Sequence, residues 1–382
     1  MTSMPFTLTS VSIAKRVLQF AFLSLGLMAA AAPVAARAAT ATAPKHVFVV
    51  MLENQGYTTT FGPNSPALYL AQTLVGKGAL LTQYYGIGHN SLDDYIALVG
   101  GQAPNPQTQG DCLAYSDWQG ETRLDANGQL GPLGAGCVLP TTALSIANQL
   151  QASGLSWKAY QEDMGNDVTR DGSRTCAHPA LNTQDGTQKA SPTDGYAARH
   201  NPFMYFHAVT DDVVGCNAKV VNLNQFYVDL ASLSSTPNLS FITPNLCNDG
   251  HDTPCANGSP GGLPQINAFL QTLVPKILNS PAFQRDGLLM ILFDEAGTND
   301  VAACCNEQPG PLSPLPGISG PGGGRVGAVL LSPFIRPGTV SNVPYNHYAA
   351  LRSMEDIFKL PHLGFAGAAG LQSFGSDIFT NR

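Results

Sequence analysis

His46–Leu52 reads HVFVVML, a continuous apolar run with three valines, and it ends abruptly at Glu53-Asn54. A strand exposed on one face alternates apolar with polar residues, whereas a strand covered on both faces shows an unbroken run. The stretch therefore reads as a buried parallel strand with polar side chains at its C-terminal tip. Asp286–Glu295, DGLLMILFDE, repeats the design with Asp294 and Glu295 at the tip. Leu239–Asn245 (LSFITPN) is a shorter version followed by a polar cluster, and Val326–Ser332 (VGAVLLS) is a fourth strand.

Helical patterns lie between these runs. Thr142–Ala152 carries Leu144, Ile146, Ala147 and Leu150 at helical spacing. Leu263–Leu278 aligns Ile266, Phe269, Leu270, Leu273 and Ile277, and Tyr348–Phe358 aligns Leu351, Met354, Ile357 and Phe358. Strands alternating with helices predict an α/β fold with a mostly parallel sheet. Ligands of such sheets bind beyond the carboxyl ends of the strands, so the two acidic tips are expected to face one crevice. Ala103–Pro140 and Gln308–Gly324, rich in Gly and Pro, read as loops.

The N-terminus has the form of an export signal. Lys15 and Arg16 precede an apolar run from Val17 to Met28, and Ala36-Arg37-Ala38 has the small-x-small pattern of a cleavage site. The expected division is a signal peptide over 1–38 and one catalytic domain over 39–382, secreted or periplasmic. The apolar run is shorter than the roughly 20 residues of a spanning helix, so stable membrane insertion is not expected. The formal net charge is −7 with 12% charged residues, which excludes the basic stripe of a nucleic-acid binder. Eight cysteines after an export signal read as disulfides. Closeness along the chain favours Cys112–Cys137, Cys176–Cys216 and Cys247–Cys255, with Cys304 and Cys305 paired together or free.

Several residues carry chemistry. Glu53 and Asn54 on one strand tip offer oxygen donors to a hard divalent cation. Asp294 and Glu295 on another would repel each other unless a cation lay between them. In Gly88-His89-Asn90-Ser91-Leu92-Asp93-Asp94-Tyr95, Ser91 precedes a helical turn. It is either a nucleophile presented at a helix N-terminus, where a phosphate is favoured, or an N-cap with Asp94 as its capping-box partner. His251, in the polar loop Asn245–Asp252, has the chemistry to hold phosphate, bind a metal or protonate a leaving group. His347 stands at the start of the last helix, and His200 is the remaining histidine of interest.

Taken in order, HVFVVMLENQGY, GHNSLDDYIALVGG, FITPNLCNDGHD, LMILFDEAG and the segment from Arg325 to Leu360 resemble the phosphoesterase family of secreted acid phosphatases and phospholipases C. The resemblance implies an alkaline phosphatase-like fold of three layers, with helices on both sides of the sheet. It implies a divalent metal held by Glu53, Asn54, Ser91, Asp294 and Glu295, with Ser91 as nucleophile. His251 and His347 fall where histidines contact phosphate or assist the leaving group, and His89 and Asn54 would line the same substrate pocket. Asn90, Asp93 and Asp94 depart from the family's Pro-Ser-x-Pro-Asn pattern, and the two aspartates add negative charge near an anionic substrate. The expected activity is phosphomonoester hydrolysis through a phosphoserine, on a small phosphomonoester or a lipid phosphate. Its rivals are a phospholipase C-type phosphodiesterase and a non-enzymatic exported phosphate- or metal-binding protein.

Overall fold

The computed structural model describes residues 43–380; the expected signal segment, 1–38, lies outside them. Eight strands form the main sheet: β1 (His46–Leu52), β2 (Ala79–Leu81), β3 (Trp157–Gln161), β4 (Val220–Asn222), β5 (Leu239–Thr243), β6 (Gly287–Phe293), β7 (Ala328–Leu331) and β8 (Thr339–Ser341). Their order across the sheet is β4-β3-β5-β1-β6-β7-β2-β8. Every pairing is parallel except those of β7, which runs against both β6 and β2. The expected α/β fold with a mostly parallel sheet is what the chain adopts.

The unbroken apolar runs sit where both faces are covered. Every residue of β1 and of β6 is buried. Each large apolar side chain so buried contributes roughly 1.5–3 kcal/mol, which offsets the cost of holding carboxylates at the strand tips. The flanking helices include α1 (Ser91–Gly100), α2 (Ile146–Ala152), α3 (Gly262–Leu278) and α4 (His347–Phe358). Helix α1 is buried along its whole length and packs against α4, so its N-terminal residues are held rigidly.

Register sets up the site. His46 pairs with Gly287 and Leu52 with Phe293, which leaves Glu53 and Asp294 side by side just past the ladder. The Asp294 amide donates to the Leu52 carbonyl at 3.0 Å, and the Glu53 amide to the Asp249 carbonyl at 2.9 Å. The tips of β1 and β6 and the loop that follows β5 are thereby stitched together. The cysteines pair as Cys112–Cys137, Cys176–Cys216, Cys247–Cys255 and Cys304–Cys305. Among the described residues no helix is long and apolar enough to cross a membrane.

Candidate active site

Glu53 is the hub. It has no solvent exposure, and one of its oxygens, Oε2, accepts from the Ser91 hydroxyl at 2.6 Å and from Asn54 Nδ2 at 3.0 Å. The other, Oε1, accepts from the Tyr95 hydroxyl at 2.6 Å. Asn54 turns the chain away from the strand with φ 57°, a left-handed conformation that Asn tolerates better than most residues. That turn aims its backbone N–H at Asp294 Oδ1, 2.8 Å away. The carboxyls of Glu53 and Asp294 touch one another. Burial, then the Asp294 and Asp249 carboxylates, push Glu53 well above the usual carboxylate range.

Ser91 is the first residue of α1 and does not cap it. The N-cap is Asn90, whose side chain makes no cap bond. Asp94 instead accepts the amides of Ile87 and Gly88 at 2.5 and 3.2 Å. The capping-box reading is therefore not what the local geometry shows, and the Ser91 hydroxyl is committed to Glu53. The amide that follows it, Leu92 N–H, donates to Asp111 at 3.1 Å. A carboxylate from the loop before Cys112 thus occupies the helix N-terminus, where an anion is favoured. Gly88 permits the tight approach of this segment, because a Cβ there would sit 2.4 Å from the Asp93 carboxylate oxygens.

Glu295 and His89 form a second layer. Glu295 Oε2 lies 3.2 Å from His89 Nδ1, and His89 Nε2 lies 3.1 Å from the Asp300 carbonyl. Burial, then Asp294 and Asp94, raise Glu295 well above its ordinary range. Asp93 is raised in the same way by burial and by Asp94, and neither of its oxygens has a partner. His347 sits behind Asp294. Its Nε2 is 2.7 Å from the Asp294 carbonyl, its Nδ1 is 2.9 Å from the Tyr84 hydroxyl, and it is fully buried. The short pairing of Tyr84–Tyr85 with Tyr345–Asn346 delivers it there.

Two residues that the spacing did not single out as ligands complete the hub. His200 stacks on Tyr95 with ring centroids 5.4 Å apart. Its Nδ1 is 3.0 Å from Asp249 Oδ2, and its Nε2, 3.4 Å from Glu53 Oε1, lacks a hydrogen-bond partner. Burial, then Arg199 and His251, hold His200 well below its ordinary pKa. With Nδ1 on a carboxyl group and Nε2 left without a partner, the ring is oriented as metal-ligating histidines are. Potential ligand atoms of Glu53, His200 and Asp249 all lie within 4.8 Å of one another. Asp294 Oδ2 is likewise buried without a partner. The donor set around Glu53 fits a divalent cation. His251 stands at the rim, with Nε2 3.1 Å from Arg199 Nη2 and Nδ1 2.9 Å from Asp252.

Sequence comparisons place this geometry in context. The chain is 26% identical over 325 residues to a "Probable acid phosphatase" of Kluyveromyces lactis, covering 84% of this chain and 59% of that protein. It is 28% identical over 294 residues to the "Phosphate-repressible acid phosphatase" of Penicillium chrysogenum, covering 76% of this chain and 54% of that one. The chain thus spans little more than half the length of these curated relatives. A "Phosphatidylinositol-3-phosphatase" of Mycobacterium tuberculosis matches at 24% identity over 321 residues, 84% of this chain and 79% of that one. A solved structure of a protein in the alkaline phosphatase superfamily from Vibrio parahaemolyticus overlaps with a TM-score of 0.44 and 11% identity, over 88% of this chain and 72% of that one. The model of the Phosphoesterase family matches residues 64–361, and the chain belongs to that family.

Proposed function

We propose that this protein is a metal-dependent phosphoric monoester hydrolase that acts through Ser91. The observation that carries the reading is the Ser91 hydroxyl at the start of a buried helix, 2.6 Å from a carboxylate that also abuts Asp294. Similarity to proteins named acid phosphatases supports the same class of ester. Glu53, Asn54 and Asp294 would hold the cation, with the Ser91 hydroxyl, Glu295, His200 and Asp249 as the nearby donors. When bound, a divalent cation supplies positive charge against the transferring oxygens and makes a nearby hydroxyl a better nucleophile.

The chain's own residues do the rest. Glu53 fixes the Ser91 oxygen in one direction, and the packed α1 prevents it from moving. Ser91 attacks phosphorus in line with the leaving oxygen, the P–O bond to the leaving group breaks, and the alcohol departs. Water then cleaves the phosphoserine and releases inorganic phosphate. His251 and Arg199 supply polar contacts at the rim, on the side of Asp111. His347 holds the Asp294 backbone, and His89 holds Glu295. The export pattern of the first 38 residues and the four disulfides support a protein that works outside the cytoplasm.

A substrate panel tests the reading. The purified protein should turn over p-nitrophenyl phosphate and lose that activity on chelation. It should act poorly on bis-p-nitrophenyl phosphate and on phosphatidylcholine. Preference for either diester would favour a phospholipase C-type enzyme, and turnover of none would favour a binding protein.

A further inference from the structure

A polar cleft of about 700 Å³ opens beside the site, and Asn54 belongs to both. Ser91 does not line it, but Asn54 and Ser91 donate to the same Glu53 oxygen. Its far wall is continuous with the site as well. Ala296 follows Glu295, and the Asp300 carbonyl faces His89 Nε2. A phosphoryl group held at Ser91 and Asn54 would therefore send its leaving group into this space.

The lining says what that leaving group is. Beside the Tyr57 and Tyr85 rings, Gln55, Thr58, Thr59 and Asn299 offer amides and hydroxyls, which a hydroxyl-rich group would satisfy and an acyl chain would leave unpaired. Among the described residues the cleft wall holds one cation, Arg325, whose guanidinium carbon lies 3.9 Å over the ring of Tyr57. The ring contact holds the guanidinium in the cleft wall, and its N–H groups suit a bidentate acceptor. Among the described residues Arg325 forms no ion pair with a carboxylate. The carboxylate nearest in the wall, Asp300, is engaged by the backbone amides of Ala302 and Arg325 at 3.1 and 3.2 Å.

We propose that this cleft is the leaving-group subsite, and that Arg325, held over the Tyr57 ring, selects phosphomonoesters whose polar leaving group carries a second anionic group, as in a sugar bisphosphate. The inference rests on the reading of Ser91 and its neighbours as a phosphomonoesterase. It also accounts for how an acidic crevice accepts a more highly charged substrate: the compensating cation stands on the leaving-group side.

The test compares kcat/KM for glucose 1,6-bisphosphate, glucose 6-phosphate and p-nitrophenyl phosphate, by phosphate or nitrophenolate release. Wild type should favour the bisphosphate over the monophosphate by about tenfold or more, the scale of one charge-assisted contact. Arg325→Gln should remove that preference and leave the other two substrates within about twofold, and Arg325→Lys should restore part of it. Turnover of p-nitrophenyl phosphate without any bisphosphate preference in wild type overturns the inference alone, and this arm needs no variant. An Arg325→Gln protein slowed equally on all three substrates overturns it too. If none of the three is hydrolysed, the phosphomonoesterase reading falls and takes the inference with it.

Discussion

The Ser91 hydroxyl donates to Glu53 across 2.6 Å, and both side chains are closed off from solvent almost completely, at 2% and 0% exposure. Strand β1 sets the carboxylate and helix α1 sets the hydroxyl, so neither moves independently of the core. This pairing motivates the first prediction. Ser91→Ala should lower turnover by about three orders of magnitude or more, the scale of losing a nucleophile. Its melting temperature should fall by only a few degrees, because Ser91 caps nothing and Asn54 still donates to the same Glu53 oxygen. A folded Ser91→Ala enzyme close to wild-type rate would be incompatible with the proposal.

Metal content should follow the two unpartnered donors beside Glu53. Asp294→Asn and His200→Ala should each weaken divalent metal binding by about tenfold or more, a typical loss for a ligand or its support. Elemental analysis after dialysis against limiting metal reads this directly, without reference to activity. Wild-type metal content in both variants would contradict the assignment.

Asp111 should behave as the electrostatic cap of α1. Its carboxylate accepts from Leu92 N–H, so Asp111→Ala should cost about 1 kcal/mol of stability. Denaturant unfolding of the two proteins side by side would show it, and equal midpoints would refute the role.

Stability should fall as pH rises through a group remote from the site. Burial, outweighing the Leu363 amide and Gln149, pushes Glu355 in α4 up to about 8. Glu355 Oε2 is buried without a partner. A carboxyl whose folded pKa is raised contributes stability that is full below its unfolded value, about 4.5, and is lost as pH rises through about 8. Glu355→Gln should flatten the pH dependence of the melting temperature across that window. An unchanged slope would remove Glu355 as its source.

The unbroken apolar strands were legible because burial on both faces leaves no polar residue in the run. His46–Leu52 appears as read, and the 326–332 run becomes the shorter Ala328–Leu331, which runs antiparallel to its neighbours. The edge strands Val220–Asn222 and Thr339–Ser341 are three residues long, too short to leave a period, and Trp157–Gln161 mixes polar with apolar residues. Glu53, Asn54 and Asp294 were legible because a polar residue ending such a run has few reasons to be there. His200 was noticed but given no role, and Asp249 was not singled out, because the one sits in a short helical turn and the other in a turn-rich loop, and tertiary packing alone brings them to Glu53. His347 could be placed near the site but not oriented: its two ring partners come from Tyr84 and Asp294, far away in sequence.

The central claim is a phosphoryl group carried by Ser91. Wild-type protein mixed with a substrate bearing labelled phosphate, quenched in acid within a turnover and digested, should yield label on the peptide that contains Ser91, and Ser91→Ala should yield none. Rapid substrate turnover with no label on that peptide, or label that persists in Ser91→Ala, would contradict the account.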